Sequence, residues 1–193
     1  MQLLKSVVTA IALITVGAEA AANFFSVDLA ANMAAVRNGG DVGATHIYYQ
    51  ASNGAIMRIC ASTAFIRNGA QNCDNVEVVP PEEVMFDTPL AVSTLLTSKG
   101  GFHGNHVYYF SRDGILSEYI NNIAAHGPNC ADCVTNEKFG VARGSKALYT
   151  IADETKPGMQ LRVGFESTES PGTITEATFN ANTRKWSLTV LPN

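Results

Sequence analysis

The sequence predicts an all-β fold made of three copies of one small sheet, and three observations carry that reading. An aromatic segment recurs as His46-Ile47-Tyr48-Tyr49-Gln50, His106-Val107-Tyr108-Tyr109-Phe110 and Arg162-Val163-Gly164-Phe165-Glu166. Each copy runs into a turn glycine, Gly54, Gly114 or Gly172, spaced 60 and then 58 residues apart. Apolar stretches are short, rich in Val, Ile, Tyr and Phe, and broken by Gly, Asn, Asp and Ser, with no sustained helical period beyond the N-terminal segment. A fixed period of this size marks a repeat architecture. A unit of three or four short strands cannot bury its own faces and must stack on its neighbours.

The elements follow in order. Residues 1–22 combine one Lys, an apolar run from Val7 to Val16 and a small-residue end, Ala18-Glu19-Ala20-Ala21-Ala22. That is the pattern of a secretory signal peptide, with an apolar run too short to span a bilayer. Residues 23–193 form one domain, with repeats at approximately 23–80, 81–140 and 141–193. The first strand of each repeat is expected at 32–36, 90–96 and 147–151, ahead of the aromatic strands. Ala51-Ser52-Asn53-Gly54 and Ser111-Arg112-Asp113-Gly114 read as hairpin turns, because Asn-Gly and Asp-Gly supply the positive φ that tight turns need. The third turn is longer, 167–172, and contains Pro171. Return strands are expected at 56–61, 115–120 and 174–179. Of Tyr48, Tyr49, Tyr108 and Tyr109, one of each adjacent pair is expected in the core and the other at a contact between repeats.

Composition narrows the functional classes. The formal net charge is −4 and the 13 Lys and Arg are scattered, so neither nucleic acid nor a membrane is an expected partner. No Asn-x-Ser/Thr sequon occurs. The four cysteines, Cys60, Cys73, Cys130 and Cys133, form an even set in a chain with secretory features, which favours disulfides. The simplest pairing is Cys60–Cys73 with Cys130–Cys133; crossed pairing is the alternative. Cys130-Ala131-Asp132-Cys133 has redox spacing but lacks the following helix that such chemistry uses. His103 and His106 do not complete a zinc ligand set, so no metal or cofactor is expected. No nucleophile elbow occurs, Glu82-Glu83 reads as a solvated turn, and the Gly-rich 100–104 segment precedes no helix, so an enzyme is not expected.

Three similar sheets in a row read as β-propeller blades. Propellers typically close with four to eight blades. Three therefore point to half of a six-bladed ring, completed by dimerisation. A single-chain sandwich, or an irregular three-sheet prism that closes without a partner, is the other solution.

The repeated pattern resembles the blades of the fungal and bacterial fucose-specific six-bladed propeller lectins, whose motif runs Arg-hydrophobic-Tyr-Tyr-Gln, a Gly turn, then Ile-x-Glu. Here it is carried by His46–Arg58, His106–Glu118 and Arg162–Glu176, covering most of the chain after residue 22. The resemblance implies sugar sites between adjacent blades, where an Arg and a Glu of one blade hold hydroxyls and an aromatic ring covers the apolar face. Only the third repeat keeps both charges, so Arg162 and Glu176, with Trp186, are the candidate fucose-binding residues. His106 and Glu118 form a weaker second candidate, and His46 with Arg58 none. The chemistry agrees, since a guanidinium donates several bonds in one plane and a carboxylate accepts from two hydroxyls. The spacings, 14 residues in repeat three and 12 in the others, are even, which predicts that each pair faces across its hairpin. The expected function is thus a secreted lectin binding fucose or a fucosylated glycan without catalysis. The alternative is a secreted effector or interaction protein on the same scaffold that has lost sugar binding.

Overall fold

The computed structural model describes residues 29–37, 45–61, 71–96, 102–127, 130–153 and 160–192. The candidate signal peptide, residues 1–22, lies outside them. Twelve strands form three antiparallel sheets, hereafter blades 1 to 3. Blade 1 holds β1 (Leu29–Arg37), β2 (Thr45–Ala51), β3 (Ile56–Ala61) and β4 (Gln71–Val79). Blade 2 holds β5 (Ala91–Leu96), β6 (Phe102–Phe110), β7 (Leu116–Ile120) and β8 (Ala125–His126). Blade 3 holds β9 (Leu148–Asp153), β10 (Gln160–Phe165), β11 (Thr175–Asn180) and β12 (Lys185–Val190). Within each sheet the strand order follows the chain.

The first strands stand side by side, β1 next to β5 and β5 next to β9. Thr94 Oγ1 donates to the Arg37 carbonyl at 2.9 Å, and the Ser93 and Thr150 hydroxyls lie 3.2 Å apart. The β1–β2–β3 and β5–β6–β7 cores sit where the sequence places them. The fourth strands β4, β8 and β12 were not anticipated: β8 is two residues long, β4 opens on a polar run, and β12, which alternates polar and apolar residues from Lys185 to Val190, lies beyond the three-element repeat unit.

Blades 1 and 2 share a three-residue hairpin. Ala51 N donates to the Ala55 carbonyl and Ser111 N to the Ile115 carbonyl, each at 2.9 Å, and Gly54 and Gly114 close the loops with φ of +96° and +71°. A three-residue loop with a left-handed final residue needs glycine there.

Two apolar clusters glue the stack. Tyr48, Ile56, Val79, Val107, Tyr109 and Tyr119 fill the space between blades 1 and 2. Tyr108, Phe110, Leu116, Val163, Phe165 and Trp186 fill the space between blades 2 and 3. All four adjacent tyrosines are buried, and both of blade 2's are blade contacts, Tyr109 on one side and Tyr108 on the other. Blade 2 is covered on both faces, so its alternation is not core-in, polar-out but core on both sides.

The linkers repeat as well. Met85 N donates to the Phe110 carbonyl and Ala142 N to the Glu166 carbonyl, both at 2.9 Å, so each linker adds a short bridge to the turn of the blade that follows. Gln50 is fully buried at the first linker. Its amide donates to the Gly54 and Met85 carbonyls, and its oxygen accepts from Thr88 N at 3.2 Å.

Cys130 and Cys133 are joined by a disulfide. Cys60 is disulfide-bonded, and its register partner on β4 is Cys73, whose side chain lies outside the described residues. Among the described residues, no helix is long and apolar enough to cross a membrane, and no cluster of three His, Cys, Asp or Glu could hold a metal.

Candidate functional site

The register decides where the charged pairs fall. Arg162 lies opposite Thr178, and Glu176 opposite Gly164. His106 lies opposite Ile120, and Glu118 opposite Tyr108. His46 lies opposite Cys60, and Arg58 opposite Tyr48. Each pair therefore shares a face, as its even spacing requires, but it is diagonal and not directly opposite. In all three blades the residue directly opposite the first member lies two positions beyond the second, Cys60 past Arg58, Ile120 past Glu118 and Thr178 past Glu176, and long side chains reach across such a diagonal.

In blade 3 the diagonal closes as an ion pair. Arg162 Nε and Nη2 both donate to Glu176 Oε2, at 3.0 and 2.5 Å. Tyr149 donates its hydroxyl to Glu176 Oε1 at 2.6 Å. The Glu176 side chain is 6% exposed and that of Arg162 41%, so the acceptor is sunk and the donor stands at the surface.

Tyr149 was not anticipated as a site residue. Blades 1 and 2 place a tyrosine on their second strand opposite an alanine on their first, Tyr48 opposite Ala34 and Tyr108 opposite Ala91. Blade 3 reverses this, with Gly164 opposite Tyr149. A Cβ at Gly164 would come within 2.1 Å of the Tyr149 ring. The glycine vacates the volume, the first strand fills it, and the hydroxyl moves onto Glu176. A Gly where two repeats carry Tyr was the available signal.

Burial alone would raise the Glu176 carboxyl, but the Tyr149 and Arg162 hydrogen bonds and the Arg162 charge together hold it below its ordinary value. Burial and the same bond push the Tyr149 hydroxyl up to about 12, so it remains a donor. A carboxyl depressed in the folded state adds stability above its unfolded value of 4.5 and loses it as pH falls through the lower folded value. Resistance to urea should therefore lose the Glu176 contribution only below pH 4.5, and Glu176→Gln should flatten that limb of the profile.

The structure corrects the grouping of Trp186 with Arg162 and Glu176. Trp186 lies opposite Phe179, which lies opposite Leu161. That odd parity sets Trp186 on the face packed against blade 2, while Arg162 and Glu176 point to the other side of the sheet. Trp186 instead meets the second candidate pair. A cavity of about 440 Å³ between blades 2 and 3 has His106 and Glu118 on one wall and Phe179, Arg184 and Trp186 on the other. His106 Nδ1 donates to Glu118 Oε1 at 2.6 Å, and Val134 N donates to Oε2 at 3.0 Å.

Blade 1 departs in the way its sequence suggests. Arg58 bonds Asn121, and the Asn105 amide nitrogen lies 2.9 Å from His46 Nδ1. Side chains of blade 2 thus occupy the position between blades 1 and 2.

No family model matches the sequence, and no curated protein does. Solved structures do match. The fungal lectin of Aleuria aurantia, a six-bladed β-propeller with a novel fucose recognition mode, superposes with a TM-score of 0.61 at 20% identity, over 87% of this chain and 52% of that one. AofleA from Arthrobotrys oligospora gives 0.62 at 22% identity, over 88% of this chain and 44% of that one. This chain folds as half of a six-bladed propeller. It spans about half the length of both proteins. A fucose lectin from Kordia zhangzhouensis, solved with methyl-fucoside, gives 0.50 at 15% identity, over 83% of this half-propeller and 99% of that chain.

The half-propeller has two end faces. On that of blade 3, Ile151 stands exposed opposite Arg162; on that of blade 1, Met33 is exposed beside Tyr49.

Proposed function

We propose that this half-propeller is a secreted lectin that binds fucose or a fucosylated glycan without catalysis, and that it works as a homodimer. The observation that carries the reading is the Arg162–Glu176–Tyr149 constellation on the end face of blade 3. A fixed carboxylate acceptor beside a partly exposed guanidinium fits vicinal hydroxyls and a ring oxygen. The solved propellers it resembles, described as fucose lectins, support the sugar class. The half-length match supports dimerisation: blade 3 of one copy would pack on blade 1 of the other, covering the exposed Ile151 and Met33 and leaving the Arg162–Glu176 pair at the seam between copies, open to a sugar. The signal-like residues 1–22 and the disulfide support secretion.

Retention on immobilised fucose, released by free fucose, is the test, with light scattering of the eluted protein. Retained protein should have twice the monomer mass. A dimer that is not retained would favour the effector reading, which the occupied position between blades 1 and 2 already suits. A retained monomer at micromolar concentration would remove the ring.

A further inference from the structure

We propose that a cavity at the outer edge of blade 2, formed where β8 stops short, binds a small polyhydroxylated amine of the free amino-sugar class. The proposal does not rest on the fucose reading. β12 pairs with β11 at six positions, whereas β8 meets β7 only at Tyr119–His126 and Ile120–Ala125. Further along, the edge of β7 is served by irregular chain. Leu116 N donates to the Phe139 carbonyl and Glu118 N to Thr135 Oγ1, each at 2.9 Å. The space that a full fourth strand would fill is left as a cavity of about 320 Å³, between the turns at Pro81–Glu83 and Val134–Glu137. It lies at the hairpin end of β6 and β7, beside Ser111, Arg112 and Asp113. Its floor residues Tyr109 and Ser117 are register partners on the face of the sheet opposite to that of His106 and Glu118.

The floor offers hydroxyls. Tyr109 and Ser117 are each 1% exposed. Burial, and after it the charges of Glu83 and Glu118, push the Tyr109 hydroxyl up, so it stays protonated, and no hydrogen bond holds it among the described residues. Ser117 reaches the Ile115 carbonyl only at 3.5 Å, and Thr135 Oγ1, which accepts from Glu118 N, keeps its own hydrogen to give. Buried hydroxyls without good partners are costly, and the hydroxyls of a sugar would satisfy them. One wall offers charge. Glu83 Oε2 accepts from His126 Nδ1 at 2.9 Å, while Oε1 meets no donor among the described residues. A Cβ at Gly127 would stand 2.9 Å from that carboxylate, and φ there is +57°, so glycine lets the chain pass. Glu82, Glu83 and Asp113 outnumber Arg112 and Lys138 by one charge, and Arg112 spends a donor on the Pro81 carbonyl at 3.2 Å. A protonated amine, with three donors and no acceptor, matches this wall. The volume suits one sugar ring, at the small end of the usual range for small-molecule sites.

Calorimetric titration of the mature protein with protonated glucosamine should give saturable binding. Glucose and N-acetylglucosamine, which keep the hydroxyls but carry no charge, should bind about tenfold more weakly. Glu83→Gln keeps an acceptor for His126 and should weaken glucosamine about tenfold. Tyr109→Phe should weaken it about fivefold with the melting temperature unchanged, because the hydroxyl it removes has no partner among the described residues. Arg162→Ala should leave glucosamine binding as in wild type, and Glu83→Gln should leave fucose retention as in wild type, so this site and the fucose site fail separately. Absence of saturable heat removes the site. Equal affinities for glucosamine and glucose overturn the ligand class. Glucosamine displaced by fucose, or lost in Arg162→Ala, is bound on the face of blade 3, and the proposal fails. An affinity unchanged in Glu83→Gln also overturns it. A lower melting temperature for Tyr109→Phe would show that the protein itself uses the hydroxyl and would take Tyr109 out of the site.

Discussion

Arg162→Ala should weaken fucose binding at the end face of blade 3 by roughly a hundredfold, read by calorimetry, while leaving the melting temperature nearly unchanged. The side chain is 41% exposed, so its ion pair adds little to stability in water. Bound, it would donate charge-assisted bonds to a sugar, each worth about 1.5–3 kcal/mol, and losing two of them at the lower figure costs about two decades in affinity. Glu176→Ala should lose binding to the same extent and also some stability, because it strands the Tyr149 hydroxyl. Arg58→Ala is the control. Arg58 is engaged with Asn121 between blades 1 and 2, and its removal should leave affinity within twofold. Equal losses for Arg162→Ala and Arg58→Ala would move the site away from blade 3.

Glu118→Ala should destabilise the protein by roughly 2–6 kcal/mol, because it leaves two buried donors, His106 Nδ1 and Val134 N, without their acceptor, each costing about 1–3 kcal/mol. The carboxylate serves His106 and Val134 N together, with Tyr108 buried beside it. For a chain of this size the loss lowers the melting temperature by roughly 10 °C. Glu118→Gln keeps an acceptor for Val134 N and should fall between the two. A Glu118→Ala melting temperature within 2 °C of wild type would mean that the pair holds nothing together.

The legible part of this fold was the part with strict local rules. Gly54 and Gly114 mark their hairpins because only glycine takes the required φ without cost. The aromatic strands stood out because blade 2 buries both faces and so alternates nothing polar. Two of the fourth strands were not legible, since β8 has only two residues and β4 opens on a polar run, whereas β12 does alternate, from Lys185 to Val190, and was readable as a strand. The site was half legible for a related reason. Parity within one hairpin placed Arg162 and Glu176 together, but parity across two strands needs the register of the turn at 181–184, which no residue type announces. Trp186 was grouped with Arg162 and Glu176 on the resemblance alone, and only that register shows it on the other face. Tyr149 was hidden because its role depends on a space left by Gly164, a relation between two strands and not within one.

Asp132 sits inside the small covalent ring that Cys130 and Cys133 close. Its carbonyl holds the indole and its carboxylate holds Arg184. The aromatic wall of the cavity between blades 2 and 3 is thus braced by a segment outside every strand, closed by a bond that forms only on oxidation. The indole is seated by the apolar core between blades 2 and 3, and the covalent ring holds the Asp132 segment against it, so one wall of the cavity joins hydrophobic packing to a bond made by oxidation.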